Sequence, residues 1–371
     1  MGNGMFKGVR GVWILLAVGG FFPAFASAEL APLVGRKVMV LKAETELGVD
    51  NDVLHTLQRG EVYTVGRVNN AFLWLNEPAG WVSGSDVAPL EEAIRKFTAE
   101  LGDKPAAPLL NLRGRAQANL GRFEQALTDL NESLRLDPKS ARAFQDRGNV
   151  WHKRGDLQKA LADYDQALLL NPRSAMTLND RGLLRAEQKD FDAALRDADA
   201  AVALDPKYAA AYNNRGVYWR EQGDFQRALA DYDRALKLDP RFAVALGNRG
   251  YARKQLGAYA EALADYAAAL KLDPNQWAAY NDSAWLLATC PDERLRNGAQ
   301  AVERARRACD LTHFKEWTAL DTLAAAYAET GEFPEAVKWA KKALELAPEE
   351  ARSGGRDLLS QYEAGQPHRA P

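Results

Sequence analysis

Small and apolar residues recur along this chain at three- to four-residue spacing, in paired runs separated by a turn. Between Ala209 and Phe242, Tyr212, Gly216 and Trp219 mark one face of a first helix. Gly223-Asp224 interrupts the pattern. Asp224 stands where it caps a second helix, whose apolar face is Ala228, Tyr232 and Ala235. Leu238-Asp239-Pro240 ends the pair, since proline cannot continue a helix and restrains the residue before it. The unit recurs five times over residues 107–276 without a slip: Gly114, Gly148, Gly182, Gly216 and Gly250 are 34 residues apart, as are Pro138, Pro172, Pro206, Pro240 and Pro274. An unbroken register of this length predicts stacked helical hairpins.

Small residues (Gly216, Ala228, Ala235) fall where paired helices must approach, and rings (Tyr212, Trp219, Tyr232) fill the space between. This alternation resembles the tetratricopeptide repeat (TPR), which implies a mostly α chain built as a right-handed TPR α-solenoid. Arg185 and Arg253 replace the bulky residue supplied by Trp151 and Trp219, and Ala198 replaces the ring of Tyr164, Tyr232 and Tyr266, so looser packing is expected there. A stretched sixth unit covers 277–316 and a seventh 317–350, where Leu320, Ala324, Tyr327, Gly331, Ala336, Ala343 and Pro348 keep the register. Residues 91–106 read as a half-repeat with Ala93 and Phe97 inward, and 351–371 as a cap helix and tail carrying Leu358, Leu359 and Tyr362.

Residues 1–28 have the pattern of a signal peptide: Lys7 and Arg10, an apolar run from Val12 to Phe25, and Ala26-Ser27-Ala28 as the expected cleavage site. The expectation is export to the periplasm or cell envelope, with an uncleaved N-terminal anchor as the alternative and the only route to a membrane. From 29 to 90 the texture becomes short β-branched and aromatic runs (KVMVLK, EVYTVGRV, AFLWLN) separated by turn residues. With Gly80-Trp81-Val82 and Asp86-Val87 this segment resembles a bacterial SH3-like barrel, a small all-β domain. Members of that family bind cell-wall peptides or proline-rich segments, or act as spacers. Trp74 and Trp81 are the ligand candidates, although a small barrel also needs such rings for its core, and for Trp81 that use comes first. LATCP, AVERARRACDLT and ALDTLAAAYAETGEF resemble the C-terminal part of exported bacterial proteins in which an SH3-like module precedes TPRs, a resemblance over nearly the whole mature chain. The near absence of residues between Pro89 and Glu91 predicts a rigid junction.

Of the 371 residues, 48 are basic and 50 acidic, a net charge of −2 that gives no reason to expect nucleic acid. His55, His152, His313 and His368 are scattered, without metal-ligand spacing or a nucleophile motif, so no catalytic residue, metal or cofactor is expected. Cys290 and Cys309 sit at opposite ends of antiparallel helices, on the order of 15–20 Å apart. A disulfide needs Cα atoms within about 7 Å, which predicts two buried free thiols.

Two polar ladders share the 34-residue period. Arg113, Arg147, Arg181, Arg215 and Arg249 each precede an aspartate by 16 residues: Asp129, Asp163, Asp197, Asp231 and Asp265. These read as structural ion pairs of modest energy, as exposed pairs are. The second ladder is Asp146, Asp180, Asn214, Asn248 and Asp282. By the TPR resemblance it faces the concave groove, with Asn179, Asn213, Arg220, Tyr251 and Lys254 beside it. It either solvates that groove or hydrogen-bonds a protein or peptide ligand; ionised aspartates only accept, which favours a ligand with donors or positive charge. The cations of a TPR carboxylate clamp are missing around Asn214 and Asn248. The leading functional expectation is a non-catalytic scaffold that binds protein or peptide in the groove. The alternative is a peptidoglycan-associated protein whose ligand module is the SH3-like domain.

Overall fold

The computed structural model describes residues 31–370 except 43, 50, 51, 70, 71, 77, 78 and 84; the signal-like segment 1–28 and the side chains of Trp74 and Trp81 lie outside the described residues. The chain divides into two compact units, one ending at Pro172 and one beginning at Arg173.

The first unit opens with seven short strands: β1 (Lys37–Val40), β2 (Glu44–Val49), β3 (Asp52–Gln58), β4 (Val62–Asn69), β5 (Phe72–Asn76), β6 (Ala79–Ser83) and β7 (Val87–Pro89). They pair antiparallel in the order β3-β2-β6-β5-β4-β1-β7, and Trp74 of β5 lies in register with Trp81 of β6. Alternation along β1 serves two cores, because successive strand residues face opposite sides. Val38 and Val40 join Leu47, Val65, Leu73 and Val82 inside the strand module. Met39 faces the other way, onto Leu90, Ala93 and Phe97 of α1 (Leu90–Leu101) and Ala116 of α2 (Ala107–Asn119).

The module is therefore welded to the helices rather than tethered to them, as the short junction predicts. Gly60, at φ +91°, packs so closely that a Cβ there would collide with Leu112 Cδ2. Arg115 Nη1 donates to the Gly60 carbonyl at 3.1 Å, and Arg59 packs over Phe97 while bonding Glu100 at 2.7 Å. The unit continues through α3 (Phe123–Leu136), α4 (Ala141–Lys153) and α5 (Leu157–Leu170).

The second unit is all helix: α6 (Ala175–Glu187), α7 (Phe191–Leu204), α8 (Ala209–Glu221), α9 (Phe225–Leu238), α10 (Ala243–Gln255), α11 (Tyr259–Leu272), α12 (Trp277–Thr289), α13 (Gly298–Leu311), α14 (Trp317–Glu329), α15 (Phe333–Leu346) and α16 (Glu349–Glu363). Helix starts from α2 to α11 keep the 34-residue step in both units. Asp224 caps α9 through the Arg227 N–H, as its position predicts. Lys189 takes the turn position of Gly223 and adopts the same left-handed backbone, at φ +63°.

Each hairpin closes on its glycine. A Cβ on Gly216 would sit 2.6 Å from Tyr232 Cε1, and the Tyr232 ring is fully buried. The ring thus occupies the space that any other residue would fill. Where Ala198 replaces the ring, the expected looseness does not follow. Tyr218 of the next hairpin reaches to 3.6 Å from the Gly182 Cβ position, and Ala198 is 1% exposed. Arg185 and Arg253 do not leave gaps either; each donates to the aspartate of its own hairpin, Asp197 and Asp265.

The Arg–Asp ladder pairs as predicted, at 2.7 Å for Arg147–Asp163, Arg181–Asp197 and Arg249–Asp265 and 2.6 Å for Arg215–Asp231. Its expected exposure needs correcting. The aspartates are 3–5% exposed and each accepts two N–H groups from its ladder arginine, so these are inward, bidentate pairs. Asp231 raises the Arg215 guanidinium above its ordinary value by hydrogen bonding. A further N–H crosses to the preceding hairpin from Arg147 to Asn131, from Arg215 to Asp199 and from Arg249 to Asp233. One side chain thus ties helices within a hairpin and between hairpins.

At the end of the second unit, alanines at Ala324, Ala336 and Ala340 pack closely with Tyr327, and Tyr362 of α16 is 1% exposed against them. Cys290 and Cys309 are free and buried, in different clusters. Burial pushes the Cys309 thiol up to about 12.

Gly216→Ala should lower stability by about 1–3 kcal/mol through overpacking against Tyr232. Gly354→Ala, in α16 with nothing within 4 Å of its Cβ position, should raise it by up to about 1 kcal/mol; thermal denaturation of the two variants compares them. Iodoacetamide at pH 8 should modify neither cysteine in the folded protein and both after denaturation, as read by mass without added reductant.

Candidate functional site

The second ladder is built by the first helix of each hairpin. In the first unit Asp146 of α4 is 6% exposed. Asn111 donates to it at 2.9 Å, Arg115 donates to both its oxygens, and Arg142 lies 3.6 Å away. Its acceptor capacity is met from within the chain. A cavity of about 430 Å³ adjoins these arginines and the Gln58–Glu61 turn.

In the second unit the rungs form a connected network. Asn214 donates to Asn179 at 2.9 Å and Asn248 donates to Asn213 at 3.0 Å, each reaching back 35 residues to the preceding hairpin. Arg220 donates to Asn248 at 3.4 Å, pairs with Glu221, and lies over the Tyr251 ring at 5.5 Å. Lys254 covers the same ring at 4.6 Å and donates to Asp282 at 2.9 Å. Burial and then the charge of Asp180, on α6, raise the Tyr208 phenol, and burial, Asp197 and then Asp180 raise that of Tyr218. Besides solvation or recognition, the rungs therefore have a third use, as hydrogen bonds between successive hairpins.

One break in this pattern makes a cavity of about 290 Å³. The column Gln145, Asn179 and Asn213 becomes Gly247 one repeat later, so Asp282 receives no side chain from that position and turns to Lys254. The vacated space is bounded by Arg220, Asn248, Tyr251 and Asp282, which sequence reasoning had singled out, and by Val244, Tyr266, Gln276 and Trp277. Val244 is 50% and Trp277 36% exposed. Two polar atoms beneath them, the Tyr266 hydroxyl and Gln276 Nε2, are buried without a hydrogen-bond partner. The equivalent Tyr164 donates to Asn149 at 2.6 Å, whereas the Tyr232 hydroxyl, like that of Tyr266, has no partner. The matching positions in the second unit are Val217 and Tyr251.

The walls are thus apolar, the floor offers unused hydrogen-bonding groups, and the cations Arg220 and Lys254 are already paired. Such a site holds an uncharged or amphipathic group. Trp277 was missed as a site residue, although its column otherwise reads Ala141, Ala175, Ala209 and Ala243 and its departure was legible. No group of residues suited to a metal ion occurs among the described residues, and none of their helices is long and apolar enough to cross a membrane.

The tetratricopeptide repeat family matches at residues 111–175, 149–215, 209–242, 243–276 and 317–350. Among solved structures the chain is similar to the APC/C hetero-tetramer Cut9–Hcn1, with 18% identity and a TM-score of 0.57 over 63% of this chain and 46% of that one. It is also similar to a tetratricopeptide repeat protein from Parabacteroides merdae (18% identity, TM-score 0.48, 69% of this chain and 98% of that one). YrrB, described as a TPR protein with an unusual peptide-binding site, aligns at 21% identity with a TM-score of 0.40, over 50% of this chain and 96% of that one. A search of curated proteins returned no match. The family matches together span more than half of the chain, and their 34-residue hairpins are those of the structure; the chain belongs to the tetratricopeptide repeat family.

Proposed function

We propose that this protein is an exported, non-catalytic interaction scaffold of the cell envelope, which holds an extended peptide or protein segment along the helix faces bearing Asn214, Asn248 and Asp282. The observation that carries this reading is the cavity at Gly247. Exposed Val244 and Trp277 flank it, and it is also lined by Tyr266 and Gln276, whose hydroxyl and Nε2 are buried without a partner. Apolar walls around a few unused polar groups suit a peptide, whose side chains fill the pocket while its backbone supplies hydrogen bonds. Export rests on the basic, apolar and small-residue order of residues 1–28.

Asn214→Ala with Asn248→Ala, and separately Trp277→Ala, should reduce crosslinked partner recovery from the cell envelope at least about fivefold, equivalent to about 1 kcal/mol. Their circular dichroism should stay helical. Unchanged recovery by both variants counts against the groove.

The alternative places the ligand at the strand module, which we read as SH3-like, and takes peptidoglycan as that ligand. The Trp74–Trp81 register favours it, since two aromatic residues share one cross-strand position. Because Met39 and Val62 share a core with α1 and α2, the test uses the intact chain. Trp74→Ala with Trp81→Ala should abolish co-sedimentation with purified sacculi; an intact protein that does not sediment removes this reading.

A further inference from the structure

The segment after α16 turns back onto the last hairpins. Gly365 reverses the chain at φ +68°, and Gln366 donates its N–H to the Gln361 carbonyl at 2.9 Å. The His368 ring then lies 5.7 Å from that of Trp285. Arg369 sits 2.6 Å from Glu329 Oε2 and donates to the Ala288 carbonyl at 3.4 Å, and the Ala370 N–H donates to the Thr289 carbonyl at 2.9 Å.

These anchors continue the rows of the candidate site. Trp285 stands 34 residues after Tyr251, and Ala288 stands 34 after Lys254 and 68 after Arg220. On α12 itself, Trp285 is one turn beyond Asp282, on the same face. The chemistry also fits a ligand site. Ala288 and Thr289 end α12, where carbonyls lack helical partners and the helix end is electronegative. Glu329 Oε1 is held by Arg296 at 3.1 Å, which orients the side chain and leaves Oε2 for Arg369. The Glu329 side chain is 13% exposed, so its free oxygen faces the segment rather than open water.

Resting on the groove reading above, we propose that the surface formed by Trp285, the last carbonyls of α12 and Glu329 is a binding site for an extended basic peptide. Residues His368–Ala370 occupy it as an intramolecular ligand, and an external segment carrying an arginine beside a ring binds by displacing them. A segment tethered a few residues from α16 acts at an effective concentration of order millimolar, so it competes even when its intrinsic affinity is weak.

The test uses purified protein and a labelled peptide with the sequence of residues 364–370, Ala-Gly-Gln-Pro-His-Arg-Ala, followed by fluorescence anisotropy. A chain lacking residues 366–371 should bind it saturably, and the intact chain about tenfold or more weakly. Glu329→Gln in the shortened chain, or Arg→Ala in the peptide, should remove binding. Full-length Arg369→Ala keeps the backbone of the segment and should gain binding over the intact chain, which decides the matter if the shortened chain does not fold. No saturable binding by either opened chain, or equal binding by opened and intact chains, overturns the proposal. Either result leaves the Asn214 and Asn248 capture experiment standing, because no envelope partner is involved here.

Discussion

The closest approach between paired helices governs this structure. At Gly148, Gly216 and Gly250 the first helix has no side chain, and a buried tyrosine ring from the second lies within 3 Å of where a Cβ would be. The ring sets how near the helices come, and every other pattern in the hairpin follows from that distance. Alanines at Ala228 and Ala235 are fully buried because nothing larger fits beside the ring. The Arg–Asp pairs can be bidentate because the helices carrying them are held at bonding distance. Even the exception obeys the rule: with a small residue at Ala198, Tyr218 comes in from the adjacent hairpin.

Burial changes what the charged ladder does. An exposed arginine–aspartate pair contributes about 0–1 kcal/mol, whereas a buried carboxylate without its partner costs several. Asp163, Asp197, Asp231 and Asp265 are of the second kind, so their arginines are structural requirements. The third N–H of Arg215 and Arg249, bonded to Asp199 and Asp233 on the preceding hairpin, extends that requirement from one hairpin to the next. The asparagine rungs add a second set of links between hairpins. Two places in the second unit depart from this internal satisfaction: Gly247, which withdraws a side chain from the network, and the end of α12, whose last carbonyls are met by Arg369 and Ala370 rather than by a neighbouring hairpin.

The candidate site was partly legible. Arg220 and Lys254 share one repeat position and Asn248 and Asp282 another, with Tyr251 one helical turn from each, and the TPR resemblance put all three positions on the groove face. Their mutual bonding was not legible, because hydrogen bonds between residues 28 or 35 apart depend on how successive hairpins are inclined. Gly247 breaks a column of Asn and Gln and Trp277 one of Ala, a visible irregularity whose meaning needed the cavity. The role of His368–Ala370 had no sequence signal, since a short polar tail reads alike whether it is solvated or docked.

From the sequence alone came the hairpin register, the caps and turns, the alternation of small residues and rings and the 16-residue Arg–Asp pairs, because each depends on helical periodicity and on neighbours within one repeat. Only the tertiary structure decided that the aspartates are buried and that Met39 joins the strand module to α1 and α2 in one core. It alone also located the unpartnered Tyr266 hydroxyl and returned Arg369 to Glu329. The reason is physical. Local spacing sets which face a residue occupies, while desolvation and long-range contact depend on what packs against that face.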